Sequence, residues 1–209
     1  MYIKGIALGP VSANCYIVCD EKTKIGAVID PGDYNVALLK EIEKAGIEEL
    51  KYILCTHAHF DHISGVGRLK EKFPEAKIAV GVEDSRFLND GYLNLALYFG
   101  APFYPCVADK ELKNGDKLQI GNIELSVISA PGHSPGGVLY YEKEQGFLFT
   151  GDTIFRGSIG RTDFYGGDAP TLMNTLNKIK NYPDECVIYS GHGEKTTIKH
   201  EKQYNMYLK

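Results

Sequence analysis

The stretch Thr56-His57-Ala58-His59-Phe60-Asp61-His62 places three imidazoles and a carboxylate within seven residues, directly after the apolar run Tyr52-Ile53-Leu54-Cys55. The chain has only six histidines, and five lie in this stretch or in the pairs Gly132-His133 and Gly191-His192. Imidazole nitrogens and carboxylate oxygens hold divalent metals, and catalytic sites leave one coordination position open for water. We therefore predict a metal site here. The sixth histidine, His200, lies among charged residues and is expected at the surface.

Three further candidate ligands each follow a β-rich apolar run. They are His133 after Leu125–Ile128, Asp152 after Phe147–Phe149, and His192 after Val187–Tyr189. A lone residue of this kind would more often be a structural histidine or a turn residue. If the strands share one layered core, however, their ends meet at one rim, where ligands bind in open α/β folds. The pattern therefore predicts that all three join the histidine-rich stretch.

The number of candidate ligands indicates two metals, because a tetrahedral structural zinc needs only four. Residues two apart on an extended segment point the same way, which pairs the first two histidines of the stretch. We assign His57, His59 and His133 to one metal, Asp61, His62 and His192 to the other, and Asp152 to a bridge between them. Two cations about 3.5 to 4 Å apart can share and acidify a water, which favours hydrolysis. Asp61 and Asp152 are the carboxylates we name as catalytic.

Composition limits the other possibilities. A formal charge of -4 with interspersed charges gives no basic stripe for nucleic acid, and no apolar run is long enough to span a bilayer. We read residues 1–209 as one domain with 44% apolar residues. Five cysteines, an odd number in mostly apolar surroundings, indicate buried free thiols. With a poor signal-peptide pattern at the start, this predicts a cytoplasmic protein.

Short β-rich runs alternate with helical patterns. The predicted strands are 16–19, 27–29, 52–55, 78–80, 123–128, 138–141, 147–149 and 187–189. Apolar residues at helical spacing predict helices before Gly46, before Pro74 and from Pro170, and a fourth is expected after Thr197. Strands occur both in neighbouring pairs and singly before helices, so we predict mixed sheets covered by helices.

The segment Ser85–Pro105 is crowded with aromatic and leucine side chains and contains Gly91 and Gly100. We predict that it is helical and either covers part of the site or forms an interface. The alternative is that these side chains are simply core.

These motifs resemble the metallo-β-lactamase-fold hydrolases, and within them the glyoxalase II type, the hydroxyacylglutathione hydrolases. The matching segments, in order, are Asp30-Pro31-Gly32, His57 to His62, Gly132-His133-Ser134, Gly151-Asp152 and Gly191-His192-Gly193. The resemblance implies an α/β (α+β) fold, a four-layered αββα sandwich with a dinuclear site at one edge of its two sheets. It implies the same metal ligands as the spacing.

The resemblance also implies roles for two more residues. Asp30 would orient a metal-bound histidine, and the alternative is a plain turn residue. Arg161 lies in a segment, 155–164, that is similar to one in short bacterial glyoxalase II-like proteins and in persulfide dioxygenases. Its guanidinium would bind a substrate carboxylate, and the alternative is a structural salt bridge with Asp163 or Asp168.

Two departures from the family pattern refine this expectation. The β-lactamases of this fold generally have cysteine or serine where Asp152 stands, so the resemblance favours the thioesterase-like members over antibiotic hydrolysis. Only residues 193–209 follow His192. The expected relative is therefore the short form without the C-terminal helical domain that holds much of glutathione, which leaves the thiol carrier open.

The expected function is hydrolysis of small thioesters, such as 2-hydroxyacyl thioesters of glutathione, by a metal-bridging hydroxide that attacks the thioester carbonyl. The expected cofactors are two divalent ions, zinc first, with iron or manganese as alternatives. One rival is a persulfide dioxygenase, because His57, His133 and Asp152 alone form a set that suits a single iron. Another is a metal-stabilised module without turnover. The expected partner is a small-molecule thioester, and a homo-oligomer stays open.

Overall fold

Alternate side chains of a central strand pack into different apolar clusters on the two faces of its sheet. In β2 (Ala13–Cys19), Cys15 and Ile17 belong to one buried apolar cluster, whereas Tyr16 and Val18 belong to a second. Successive side chains of a strand point to opposite faces of its sheet. Strand β2 is therefore covered by apolar layers on both sides, and the same holds for the sheet that it helps to form.

The computed structural model describes residues 1–209 and contains two six-stranded sheets. The first has the order β1-β2-β3-β4-β5-β6, with β1 Tyr2–Leu8, β3 Ile25–Ile29, β4 Glu49–Leu54, β5 Lys77–Gly81 and β6 Lys110–Leu112. Strands β1 to β3 are antiparallel, and β3 to β6 are parallel. Parallel neighbours need crossovers. Helix α1 (Val36–Lys44) joins β3 to β4, and α2 (Phe60–Ile63) with α3 (Val66–Lys72) joins β4 to β5.

The second sheet has the order β14-β13-β10-β9-β8-β7. Its strands are β7 Lys117–Ile120, β8 Ile123–Ser129, β9 Val138–Glu142, β10 Phe147–Gly151, β13 Val187–Ser190 and β14 Thr196–Thr197. A small ribbon, β11 (Ile154–Phe155) and β12 (Ser158–Ile159), follows β10. Helix α5 (Ala169–Ile179) is the crossover between the parallel pair β10 and β13, and α6 (Ile198–Tyr204) follows β14.

Three buried apolar clusters separate four layers. The cluster of 20 residues lies between the first sheet and its helices, the cluster of 17 lies between the two sheets, and the cluster of 11 lies between the second sheet and helices α5 and α6. The layer order is helix, sheet, sheet, helix. The predicted αββα sandwich is therefore confirmed.

All eight predicted strands correspond to observed ones, and the four predicted helices correspond to α1, α3, α5 and α6. The prediction that Ser85–Pro105 is helical was largely wrong. Its helical parts are residues 85–89 of a 3-10 helix, Val82–Asn89, and the single turn α4, Ala96–Phe99. Asp90 Oδ1 accepts from the N–H groups of Tyr92 and Leu93, which offers the backbone an alternative to helix.

All five cysteines are free thiols, as predicted, and four of them are buried. Cys106 is half-buried and departs from the prediction of burial. No helix in the structure combines the length and the apolar character that a membrane crossing requires.

Candidate metal centre

The candidate ligands lie where strands of both sheets end. His57 and His59 are in the loop between β4 and α2, and Asp61 and His62 are on α2 itself. The second sheet contributes three more through the segments that follow its strands: His133 after β8, Asp152 after β10 and His192 after β13. The prediction that these strand ends meet at one rim is confirmed by the distances below.

The first group is formed by His57, His59 and His133. One ring nitrogen of each lies within 4.8 Å of the others, and all three side chains are buried. His59 Nδ1 lies 2.9 Å from His133 Nε2. Three imidazoles converging from two different sheets form a donor set suited to one divalent cation.

The second group is formed by Asp61, His62 and His192, whose donor atoms also lie within 4.8 Å of one another. Asp61 Oδ2 is 3.2 Å from His192 Nε2 and 3.7 Å from His62 Nε2. This group is more open than the first, since the His192 side chain is 26% exposed. A cation held here would face the solvent-accessible side of the site.

Asp152 stands between the two groups. Its Oδ1 is 3.2 Å from His62 Nε2, and its Oδ2 is 3.8 Å from His133 Nε2 and 3.5 Å from His192 Nε2. One carboxylate thus reaches both donor sets. This is the geometry that a bridging ligand requires.

Glycines make these close approaches possible at two positions. Gly151 has φ of +49°, in the left-handed region, and a Cβ there would overlap Thr56 Oγ1. A Cβ on Gly191 would overlap Asp152 Oδ1 and lie 2.8 Å from His62 Cε1. Any side chain at Gly191 would therefore displace the shared carboxylate.

Several buried nitrogen and oxygen atoms of the site make no well-aligned hydrogen bond, although His62 Nε2 and Asp152 Oδ1 lie 3.2 Å apart. The buried atoms without a hydrogen bond are His57 Nε2, His59 Nε2, His62 Nε2 and Asp152 Oδ1. Buried polar atoms are nearly always paired in native proteins. Four such atoms in one cluster of imidazoles and a carboxylate fit the chemistry of bound cations, so the residues present suit the two metals that the sequence predicts.

The histidines of the cluster differ in the direction in which their pKa values are shifted. Burial, and then the neighbouring imidazoles, lower the pKa of His57 well below its ordinary value and that of His59 to about 3. Burial also opposes the charged form of His62, but the Asp152 and Asp61 carboxylates outweigh it and raise the His62 pKa. His57 and His59 are therefore already in the neutral form that binds a metal.

Asp30 lies behind the cluster. Its carboxylate accepts from the Thr56 N–H at 2.7 Å and from the Thr56 hydroxyl at 2.6 Å, and its Oδ2 lies 3.1 Å from His62 Nδ1. The contact with His62 is the one that an orienting role requires. Asp30 also has φ of +52°, so the alternative of a turn residue describes its backbone but leaves out its side chain.

Arg161 lies at the cavity beside the cluster, but its guanidinium already has a partner. Nε and Nη2 each donate to Asp163 at 2.6 Å, and the group stacks on Phe164 at 4.0 Å. The structural salt bridge that was the alternative is thus present. The backbone of Arg161 has a separate contact, because its carbonyl accepts from His133 Nδ1–H at 2.7 Å.

A cavity of about 330 Å³ opens onto the ligands. Apolar side chains form much of its wall, namely Val11, Phe60, Leu95, Phe99 and Phe164. Leu95 and Phe99 belong to the Ser85–Pro105 segment, whereas Tyr92 and Tyr98 are each 76% exposed. The segment therefore covers part of the site. The alternative of core holds for its Phe87 and Leu88, which are fully buried in the 20-residue cluster.

Sequence reasoning missed Asp84. Its buried carboxylate accepts from Ala58 N–H at 3.1 Å, Ser134 Oγ at 2.8 Å and Gly136 N–H at 2.6 Å. These contacts join the loop that carries His57 to the loop that carries His133. An acidic residue in a short 3-10 helix gives no sequence signal for this role, because its partners are 26 to 52 positions away.

Known proteins that are similar to this chain provide independent evidence of its family. Residues 8–192 match the model of the "Metallo-beta-lactamase superfamily". The "Hydroxyacylglutathione hydrolase GloC" of Haemophilus influenzae is 35% identical over 97% of this chain and 97% of that protein.

Two solved structures are similar over nearly their full lengths. One is described as "BLEG-1 B3 metallo-beta-lactamase" and has a TM-score of 0.92 with 38% identity, covering 99% of both chains. The other is "TTHA1623 in a di-iron-bound form", with a TM-score of 0.88 and 34% identity, covering 98% of this chain and all of that one.

Proposed function

The chain belongs to the metallo-beta-lactamase superfamily, and we propose that it is a dinuclear-metal hydrolase of small thioesters, acting on 2-hydroxyacyl esters of a low-molecular-weight thiol. One observation carries the proposal. Two groups of three donor residues lie side by side, and the carboxylate of Asp152 reaches both. The resemblance to the hydroxyacylglutathione hydrolase of Haemophilus influenzae supports the choice of a thioester.

The residues of the two groups would hold the cations, with Asp152 between them. Two divalent ions in such a site supply an acidified water and a Lewis acid for a carbonyl oxygen. We propose zinc, for which imidazole and carboxylate are ordinary ligands. Iron is the second choice, because the similar TTHA1623 structure is in a di-iron-bound form.

The chain's own groups prepare the site in three ways. Asp30 fixes His62 through its Nδ1, and the Arg161 carbonyl holds the proton of His133 on Nδ1, so that Nε2 of each ring faces the site. Asp61 and Asp152 supply negative charge beside the reacting water. The apolar wall of the cavity, including Phe60 and Phe164, excludes bulk water from the bound acyl group. The thiolate that leaves is stable enough to need little protonation.

The proposal is tested by substituting the shared carboxylate. In Asp152→Ala we expect the bound metal to fall by about one ion per chain and thioester turnover to fall by at least about 100-fold. The loss of a direct ligand should exceed the 10- to 100-fold effect typical of its outer partners. Elemental analysis and release of free thiol measure the two effects.

The matched control is His200→Ala, a histidine whose ring packs against Tyr204 at 4.8 Å outside the ligand groups. It should keep both metal content and rate. An Asp152→Ala protein with unaltered metal content and rate would refute the assignment of Asp152.

Hydrolysis of β-lactams is a second candidate, favoured by the similarity to the structure described as a B3 metallo-beta-lactamase. The two activities attack different bonds, a thioester and a strained amide. Turnover of a chromogenic cephalosporin and of a 2-hydroxyacyl thioester by the same preparation separates them. Our proposal expects kcat/KM to favour the thioester.

We also propose a reducing, cytoplasmic compartment and a small-molecule partner only. The five free thiols support the compartment, since none of them is paired in the structure. The dispersed charge that gives a net value of -4 supports the absence of a nucleic-acid partner.

A further inference from the structure

A second cavity adjoins the candidate metal centre and has no role in the function proposed so far. Its volume is about 210 Å³, and it shares Phe60 and Asp61 with the cavity that opens onto the ligands. A substrate whose reacting carbonyl lies at the ligand groups could therefore extend past Asp61 into this space. We call it the carrier cavity.

The carrier cavity contains a cation without an anionic partner. Arg68 makes no ion pair and no side-chain hydrogen bond in the structure, in contrast to Arg161, whose guanidinium is bound to Asp163. Its guanidinium lies over two aromatic rings, 4.6 Å from the centre of Tyr34 and 5.8 Å from the centre of Tyr104. Stacking of this kind fixes the plane of a guanidinium and leaves its N–H groups free for a carboxylate.

The same cavity contains an anion that does not neutralise this cation. Asp33 accepts from the Tyr34 N–H and from the Asn35 side chain, each at 2.8 Å, and lies beyond ion-pair distance of Arg68. Each of its oxygens retains acceptor capacity, because a carboxylate oxygen can accept more than one hydrogen bond. The two opposite charges thus face a shared space and not each other.

We propose that the carrier cavity is the subsite for the thiol carrier, and that it recognises an amino-acid-like terminus, with Arg68 binding its carboxylate and Asp33 its ammonium group. This rests on the proposed thioester hydrolysis and deepens it by naming the chemical class of the carrier. A carrier with such a terminus can form ion pairs with both Arg68 and Asp33, whereas an uncharged thiol can form neither.

Binding of a non-hydrolysable thioether tests the subsite independently of turnover. The probe is S-methylglutathione, which has an amino-acid terminus and no thioester. In isothermal titration calorimetry we expect Arg68→Gln to weaken its binding by about tenfold, the effect of losing one charge-assisted hydrogen bond. The matched control is Arg86→Gln, since Arg86 is also exposed and packs on the rings of Phe87 and Tyr165, but away from both cavities.

A separate variant tests the binding of the ammonium group by Asp33. Asp33→Asn should weaken S-methylglutathione to a similar extent but leave binding of its N-acetylated form unchanged, because that form has no ammonium group. Asp90→Asn is the control, a carboxylate that likewise accepts backbone N–H groups but lies outside both cavities. Equal loss for the acetylated probe would refute the assignment of Asp33.

Hydrolysis of an N-acetylcysteamine thioester, whose thiol is uncharged, reports the proposed function separately. It should be equally fast in Arg86→Gln and the unmodified protein. The inference is overturned if Arg68→Gln binds S-methylglutathione as tightly as Arg86→Gln does, or if the unmodified protein does not bind this probe. If no thioester is hydrolysed but Arg68→Gln weakens binding of the probe, the proposed hydrolysis is refuted and the proposed subsite is supported.

Discussion

At the scale of single residues, the centre depends on what lies behind its imidazoles. His62 is oriented through Nδ1 by Asp30, and His133 through Nδ1 by the carbonyl of Arg161. A ring whose second nitrogen is fixed presents the first at a defined angle. Orientation is therefore built in before any cation binds.

The change Asp30→Asn tests this arrangement. We expect affinity for the more weakly bound of two ions to fall about 10- to 100-fold, because an amide has a single oxygen and cannot accept from both the Thr56 N–H, which is bound to Oδ1, and His62 Nδ1, which lies at Oδ2. Competition against a chelator of known affinity measures the change. Asp90→Asn should bind both ions normally, and an equal affinity in the two variants would show that Asp30 is only a turn residue.

At the scale of secondary-structure elements, polar contacts between the sheets position the strand ends. Asn14 on β2 donates through Nδ2 to the carbonyls of Ser190 and Gly193, and the Tyr16 hydroxyl donates to Ser190 at 2.6 Å. These bonds join the first sheet to the segment that carries His192. The two halves of the site are thus fastened through backbone carbonyls as well as through the apolar core.

A second connection between the sheets lies at Asp20, after β2. Its carboxylate accepts from the Thr23 hydroxyl and, across the sandwich, from the N–H and side chain of Asn122 in the β7–β8 turn. The backbone N–H of Asn122 contributes most to lowering the pKa of Asp20 to about 2. A carboxyl whose pKa is lowered by folding stabilises the fold fully at pH values above its ordinary pKa of 3.8. This stabilisation is lost as the pH falls toward 2.

We therefore expect Asp20→Asn to lower the melting temperature at neutral pH. The difference from the unmodified protein should stay constant down to about pH 5 and narrow between about pH 4 and 3, as the carboxyl of the unfolded chain becomes protonated. Thermal melts followed by circular dichroism across this range measure it. A difference independent of pH would contradict the role of the Asp20 charge.

The features of this fold that could be predicted are those that depend on residues close together in the sequence. Apolar β-rich runs identified the inner strands, several of which are buried on both faces, and histidine spacing identified the donor groups. Strand β1 was missed because it lies at a sheet edge, with Lys4 and Gly5 exposed. Asp84 and Asn14 were missed because their partners are far away in the chain, so that nothing in the neighbouring sequence distinguishes them.

At the scale of the whole molecule, the candidate centre lies where the two sheets meet. His57, His59, Asp61 and His62 come from the first sheet's connections, and His133, Asp152 and His192 come from the second. Cations bound to both sets would connect the halves of the sandwich. Metal binding should therefore stabilise the complete fold, not only the loops around it.

Removing the metal with a chelator should accordingly lower the melting temperature by roughly 10 °C. Ligand present at about 1,000 times its Kd stabilises by about 4 kcal/mol, and each kcal/mol shifts the melting temperature of a chain this long by about 2 to 4 °C. Calorimetry before and after chelation measures the shift, and adding zinc back should reverse it. An unchanged melting temperature after verified metal loss would mean that the site does not join the halves.

The most direct test of the dinuclear centre is the number of metal ions per chain, measured by elemental analysis of protein purified without added metal or chelator. We predict close to two equivalents, of zinc or of mixed metals, since two donor groups share one carboxylate. About one equivalent of iron would contradict the account and favour a mononuclear oxygenase, and the absence of bound metal would contradict it altogether.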